Sequence, residues 1–193
     1  MADIIKILGI AGSLRKGSYN QAALRAALDL VPEGAEIDIY DIDGFPGFNQ
    51  DLDQSPPEKV VEFKQKIREA DAILISSPEY NYSIPGVLKN AIDWASRPYG
   101  DSAWDGKPAA IMGASPGAVG TARMQYHLRQ VMVFLNMFPL NKPEVMIGHC
   151  ADKFDANGVL TDENTKEFMR KMLQALVDWT VRLKGKKDST QAS

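Results

Sequence analysis

The chain has 193 residues, 45% of them apolar and 24% charged, with a net charge of −3. That length suits one domain with a substantial core, and the balance is that of a soluble globular protein. The mild negative charge argues against a nucleic-acid surface, the single cysteine, Cys150, excludes a disulfide framework and a four-cysteine zinc site, and no apolar run approaches the ~20 residues of a membrane span. The N-terminus passes almost directly into a strand pattern without a signal-peptide signature, so a cytoplasmic location is expected.

Residues 4–10 read as a buried strand and residues 20–30 as a helix. Between them lies Gly12-Ser13-Leu14-Arg15-Lys16-Gly17-Ser18-Tyr19-Asn20. The first N–H groups of a helix have no internal partner, and the dipole there favours negative charge. Ser13 and Ser18 add hydroxyls, Asn20 an amide and Arg15 a fork of donors. Two readings suit these residues: a phosphate cradle, or an ordinary polar strand-to-helix loop with an N-cap. Gly12-x-x-x-x-Gly17 has the spacing of a P-loop, but Ser18 stands where that motif needs Lys, and no later strand ends in an acid for magnesium. The dinucleotide fingerprint is absent as well, since Gly9-x-x-Gly12 does not fit it.

Residues 35–40 alternate and predict a half-buried edge strand. Residues 41–55 form a long loop whose acids do not match a calcium loop. Its Phe45 and Phe48 either wall a pocket or pin the loop to the core, and pinning is the simpler expectation. Pro57 opens a second helix carrying Val60, Val61, Phe63 and Ile67. Residues 72–76 are apolar on both faces, as a central parallel strand should be. The loop Ser77-Pro78-Glu79-Tyr80-Asn81-Tyr82-Ser83-Ile84-Pro85-Gly86 leads to a helix over 87–96, and a loop holding Trp104 follows. Residues 109–113 are the fourth strand. Ser115 to Gly120 lead into a helix reaching residue 137, and 144–147 are the fifth strand. His149, beside Cys150, reads as strand-end packing and not as a metal ligand. The last helix covers 163–183, with Phe168, Met172, Leu176, Trp179 and Leu183 on one stripe. One domain thus spans 1–183, and 184–193 form a polar tail.

Strand and helix alternate without repeat or linker, which implies an α/β fold: a parallel sheet with helices on both faces. Five strands suit the order 2-1-3-4-5, whose switch point lies between strands 1 and 3. The loops leaving strands 1, 3 and 4 meet on that edge. The second offers Glu79, Tyr80, Asn81, Tyr82 and Ser83 between prolines that stiffen the backbone, so its polar groups can meet a planar edge. The third has glycines that admit a ring closely. Phosphate at one end and a flat heterocycle at the other describe a mononucleotide, and FMN suits this switch point. A rival also comes from the third loop: Gly113-Ala114-Ser115-Pro116-Gly117 matches the nucleophile elbow G-x-S-x-G between strand and helix. It fails because Pro116 lacks the N–H of the oxyanion hole and no Asp-then-His pair follows, the only histidines being His127 and His149.

Gly12-Ser13-Leu14-Arg15-x-x-Ser18-x-Asn20, the long run from Ser77 through Pro85-Gly86-x-Leu88-Lys89-Asn90-Ala91-Ile92-Asp93-Trp94, and Gly113-x-Ser115-x-Gly117 resemble the NADPH-dependent FMN reductase family, closest to its bacterial quinone and chromate reductases. The resemblance covers residues 4–181. It implies a flavodoxin-like fold, bound FMN, NADPH or NADH as donor, and two-electron reduction of quinones, with azo dyes, free flavin or chromate as further acceptors. It also implies that Ser13, Arg15, Ser18, Tyr19 and Asn20 hold the FMN phosphate, that Pro78, Glu79, Tyr80, Asn81, Tyr82 and Ser83 line the isoalloxazine, and that Ser115 and Gly117 lie near its other edge. The cofactor carries the chemistry in such an enzyme, so no side chain is nominated as general acid or base. The competing class is a flavodoxin-type electron carrier that does not oxidise NAD(P)H; Arg15 in the loop and the mild charge favour the enzyme.

Residues 131–135, Val-Met-Val-Phe-Leu, are apolar all round a helix. A neighbouring helix or the 97–107 loop would cover the face turned from the sheet, or a second subunit would. The second is expected, as a homodimer or homotetramer through the helix over 118–137. The family resemblance adds Arg123, Tyr126 and Glu144 as polar contacts between subunits.

Overall fold

A computed structural model describes residues 4–190. Alternation along the strands dictates the layers, because successive side chains leave opposite faces of a sheet. In β1 (Ile5–Ala11) Ile7 points one way and Leu8 and Ile10 the other; in β3 (Ala72–Ser76) Leu74 opposes Ile73 and Ile75; in β4 (Pro108–Ala114) Met112 opposes Ile111. Ile7, Leu74 and Met112 pack against α1 (Tyr19–Leu28) and α5 (Glu163–Thr190), through Leu24, Met172 and Leu176. The other set packs against α2 (Glu58–Glu69), α3 (Gly86–Ala95) and α4 (Ala122–Phe134), through Phe63, Leu88 and Met124. The ladders are all parallel, in the expected order, with β2 (Ala35–Tyr40) at one edge. Phe45 packs on Tyr40 and Phe63, and Phe48 on Trp94, so both pin their loop to the core.

Four expectations shift. The fifth position of the sheet is shared by β5 (Phe138–Pro139) and β6 (Val145–Ile147), each paired with a different part of β4. Pro139 and Pro143 lack the N–H that a continuous ladder needs. The helix after β4 starts at Ala122, not 118, because Gly117 to Thr121 turn first, with Gly120 left-handed at φ 64°. It ends at Phe134, before Asn136, left-handed at φ 53°. The buried stripe of α5 is Met169, Met172, Leu173, Leu176 and Thr180; Phe168 is exposed. That helix runs on to Thr190, so the expected tail is mostly helical, and 191–193 lie outside the described residues. Cys150 is fully buried below the sheet edge, and burial pushes its thiol above the usual range.

Gly113 lies where β4 leaves the sheet. A Cβ there would overlap Thr121 Oγ1 and the Ser77 carbonyl oxygen, whereas one at Gly47 would meet open space. Gly113→Ala is expected to lower the free energy of unfolding in denaturant by about 1–3 kcal/mol. Gly47→Ala should leave it within ~0.5 kcal/mol.

Candidate active site

The carboxyl ends of β1, β3 and β4 lie side by side, Ala11 opposite Ser76 and Ser76 opposite Met112. Loops over 12–18, 77–85 and 115–121 leave them on one edge. Gly12 makes the first approach possible, since a Cβ there would overlap Ser77 Oγ.

The first loop is a closed turn. Ser18 N–H donates to the Arg15 carbonyl at 3.0 Å, and Ser18 Oγ caps α1 by accepting from Asn20 N at 3.2 Å and Gln21 N at 3.4 Å. Gln21 Nε2 donates to the Ser13 carbonyl at 2.8 Å, and Ser13 Oγ accepts Arg15 N–H at 3.4 Å. Among the described residues, no protein acceptor is in range of the N–H groups of Lys16, Gly17 or Tyr19. Arg15 is exposed and has no carboxylate partner among the described residues; its guanidinium lies 5.9 Å from the centre of the Tyr19 ring, which packs on Phe154. Open N–H groups at the positive end of a helix, a hydroxyl proton on Ser18 and an unpaired guanidinium form the donor set a phosphate dianion requires.

Asn20 has a different duty. Its side chain is buried, its Nδ2 donates to the Ala114 carbonyl at 2.9 Å, and its Oδ1 accepts Ala114 N–H at 2.8 Å. Ser76 Oγ donates to the Asn20 carbonyl at 2.9 Å. This amide faces the sheet ends and not the cradle.

In the second loop Tyr80 and Ser83 exchange two backbone hydrogen bonds, of 3.1 and 2.9 Å, around Asn81 (φ 51°) and Tyr82 (φ 64°). Two left-handed residues between paired strands make a type I′ turn, which ordinarily takes Asn-Gly. Tyr82 in place of glycine costs roughly 1–2 kcal/mol. The turn is held from α4: the Glu79 carboxylate accepts N–H groups of Arg123 and Met124, the Arg123 guanidinium lies 3.7 Å from the centre of the Tyr82 ring, and Ser83 Oγ hydrogen-bonds His127 Nδ1 at 2.7 Å. Tyr80, Asn81 and Tyr82 are exposed, Pro78 and Ser83 half-buried.

The third loop is fastened to the segment after β6. Ser115 N–H donates to the Ile147 carbonyl at 2.9 Å, and the Ser115 carbonyl accepts Cys150 N–H at 3.2 Å. Ser115 Oγ accepts Gly117 N–H at 3.2 Å, which leaves Gly117 exposed beside the other loops' edge. Among the described residues no group of acids, histidines and cysteine gathers to hold a metal ion.

The sequence profile of the family described as NADPH-dependent FMN reductase matches residues 5–152. The chain is 56% identical over 186 residues to an NAD(P)H-dependent FMN reductase of Pseudomonas aeruginosa, covering 96% of this chain and all of that one. It is 46% identical to a 2-hydroxy-1,4-benzoquinone reductase of a Burkholderia species, covering 91% and 96% of the two chains. Among solved structures it superposes on FerB, a flavoenzyme NAD(P)H:(acceptor) oxidoreductase of Paracoccus denitrificans, with a TM-score of 0.85 at 38% identity, covering 93% and 98%. The chain belongs to the NADPH-dependent FMN reductase family.

FMN is the cofactor this family membership implies, and the donor set of the first loop fits its phosphate. In this family member the three loops come together as expected, while Asn20 braces the sheet and Glu79 turns toward α4. Sequence reading missed Gln21 and His127, and it gave Arg123 only a role between subunits, not its contacts with Glu79 and Tyr82. Ser18-x-x-Gln21 has capping-box spacing, which was a usable signal, although Gln21 reaches Ser13 instead of the cap. Arg123 and His127 stand 44 residues from Glu79 and Ser83, and no local pattern announces such a pairing.

Arg15→Ala is expected to weaken FMN binding about 10- to 150-fold, the equivalent of a charge-assisted contact of ~1.5–3 kcal/mol, with unfolding unchanged. Asn20→Leu should act on stability first: two buried groups of Ala114 lose their partners, and stability falls by about 1–3 kcal/mol for each. Fluorescence titration with FMN and denaturant melts separate the two.

Proposed function

We propose that this chain is a quinone reductase in which FMN sits with its phosphate in the 13–19 loop and its ring against the 78–83 and 115–117 loops. The observation that carries the reading is the unpaired donor set of the first loop, one strand away from an exposed, pre-shaped turn at the switch point. FMN, when bound, accepts a hydride from NAD(P)H and passes two electrons to the acceptor. The protein's part is to bind and orient: Arg15 and the N–H groups of residues 16, 17 and 19 hold the phosphate end, and the polar backbone of the turn meets the ring edge. At the turn itself the Glu79 carboxylate is committed to α4 and the His127 ring to Ser83. Quinones are the favoured acceptors because relatives named for them cover nearly the whole chain; azo dyes, free flavin and chromate belong to the same reading. The electron-carrier alternative has no support of this kind.

Assembly through α4 is part of the proposal. Val133 and Phe134 are 78% and 80% exposed, and Tyr126 on the same helix is exposed too, so neither a neighbouring helix nor the 97–107 loop covers them. A two-fold contact between copies would. Arg123 is already paired within the chain, and the Glu144 carboxylate beside Tyr126 holds its phenol above the usual range. The contact would therefore rest on the apolar residues more than on these three. A cytoplasmic location is retained as a proposal; among the described residues no helix is long and apolar enough to cross a membrane.

Without oxygen, NADH or NADPH should bleach the yellow protein, and added benzoquinone should restore the colour. Double-reciprocal plots should be parallel, because donor and acceptor use one face in turn. A flavin that neither nicotinamide reduces would decide for the electron carrier. Phe134→Glu should give a smaller particle in light scattering, against a dimer or tetramer for the unsubstituted protein.

A further inference from the structure

The turn at the ring site is fastened by a buried charge from outside its own hairpin. The Glu79 side chain is only 6% exposed. Its Oε2 accepts Arg123 N–H at 3.0 Å and Met124 N–H at 3.1 Å, while Oε1 accepts Arg123 Nε at 2.5 Å and pairs with Nη2 of the same guanidinium. These backbone groups are the donors every helix start leaves open. Thr121, at the N-cap position, makes no side-chain cap, so α4 takes its cap from another loop. The guanidinium that Glu79 holds lies in turn on the Tyr82 ring. The turn itself has no glycine to make its left-handed pair of residues comfortable. Without a tether, Tyr82 gains by leaving that conformation.

We propose that Glu79 is a positioning residue for the reaction: by capping α4 and holding Arg123, its carboxylate fixes the Asn81–Tyr82 turn at the flavin ring. This rests on the reading that the turn borders the isoalloxazine. The Glu79 carboxylate is turned to α4; it acts by setting where the backbone of residues 80–83 stands. An error of about 1 Å in such a placement is enough to slow a reaction up to about 100-fold.

The test uses the full chain loaded with FMN, as the unsubstituted protein and as Glu79→Gln and Glu79→Ala. Three quantities are read: hydrogen–deuterium exchange of residues 80–83 with and without FMN, visible circular dichroism of the bound flavin, and the rate of anaerobic reduction by NADPH. In the unsubstituted protein FMN should slow exchange at 80–83. Glu79→Gln keeps an acceptor for the two N–H groups but cannot hold the guanidinium. It should still bind one FMN per chain, lose much of that protection, change the dichroism and be reduced about 10-fold more slowly, with Glu79→Ala moving further in the same direction. A lower thermal midpoint with all three quantities unchanged, in whichever variant folds, would make Glu79 a helix cap and nothing more. If FMN protects nothing at 80–83 in the unsubstituted protein, the ring-site reading itself fails, and the proposal falls with it.

Discussion

One buried amide holds the site together. Asn20 closes a two-bond ring with the backbone of Ala114, 94 residues further on, while Ser76 from the strand between them donates to the Asn20 carbonyl. The start of α1 is thereby tied to the ends of β3 and β4. Because the 12–18 loop caps that same helix, its distance from the other two loops is set by this ring and not by the loops themselves. A ligand that spans them needs such a fixed span, since flexible ends would have to be ordered on binding. The pairing is worth more than its two hydrogen bonds, because both Ala114 groups are buried and would otherwise have no partner.

The sheet was legible because period-two alternation and apolar runs are local, and five alternating strands suit the order 2-1-3-4-5, which the ladders bear out. What the sequence could not show depends on distant partners. Asn20 stands beside Ser18 in a polar loop, and its bonds to Ala114 on β4 have no local signal. The reach of Glu79 to the start of α4 has none either. The divided fifth strand escaped notice because Phe138-Pro139 is too short to show a period. The expected stripe of α5 holds at Met172 and Leu176 and fails at Phe168: Met169 and Leu173 are as apolar as Phe168, and only packing against β4 and α1 decides which face turns inward.

α4 serves two functions from its two ends. Its first turn receives Glu79 and presents Arg123 and His127 to the 77–85 loop; its last turn exposes Val133 and Phe134. A helix is stiff over thirteen residues, so load placed on one end reaches the other as a rigid displacement. Packing another copy on the apolar end would steady the start of the helix as well, and with it the Asn81–Tyr82 turn.

The burial of Cys150 bears on how such an enzyme survives its own chemistry. Quinones are electrophiles that add to thiolates, and a protein that handles them exposes its nucleophiles to repeated attack. Here the only cysteine has no accessible surface, and burial pushes its thiol further from the reactive thiolate. Its position behind the third loop, with its N–H bound to Ser115, means that arylation would require that loop to open first. Resistance to covalent poisoning is thus built into the packing that shapes the site.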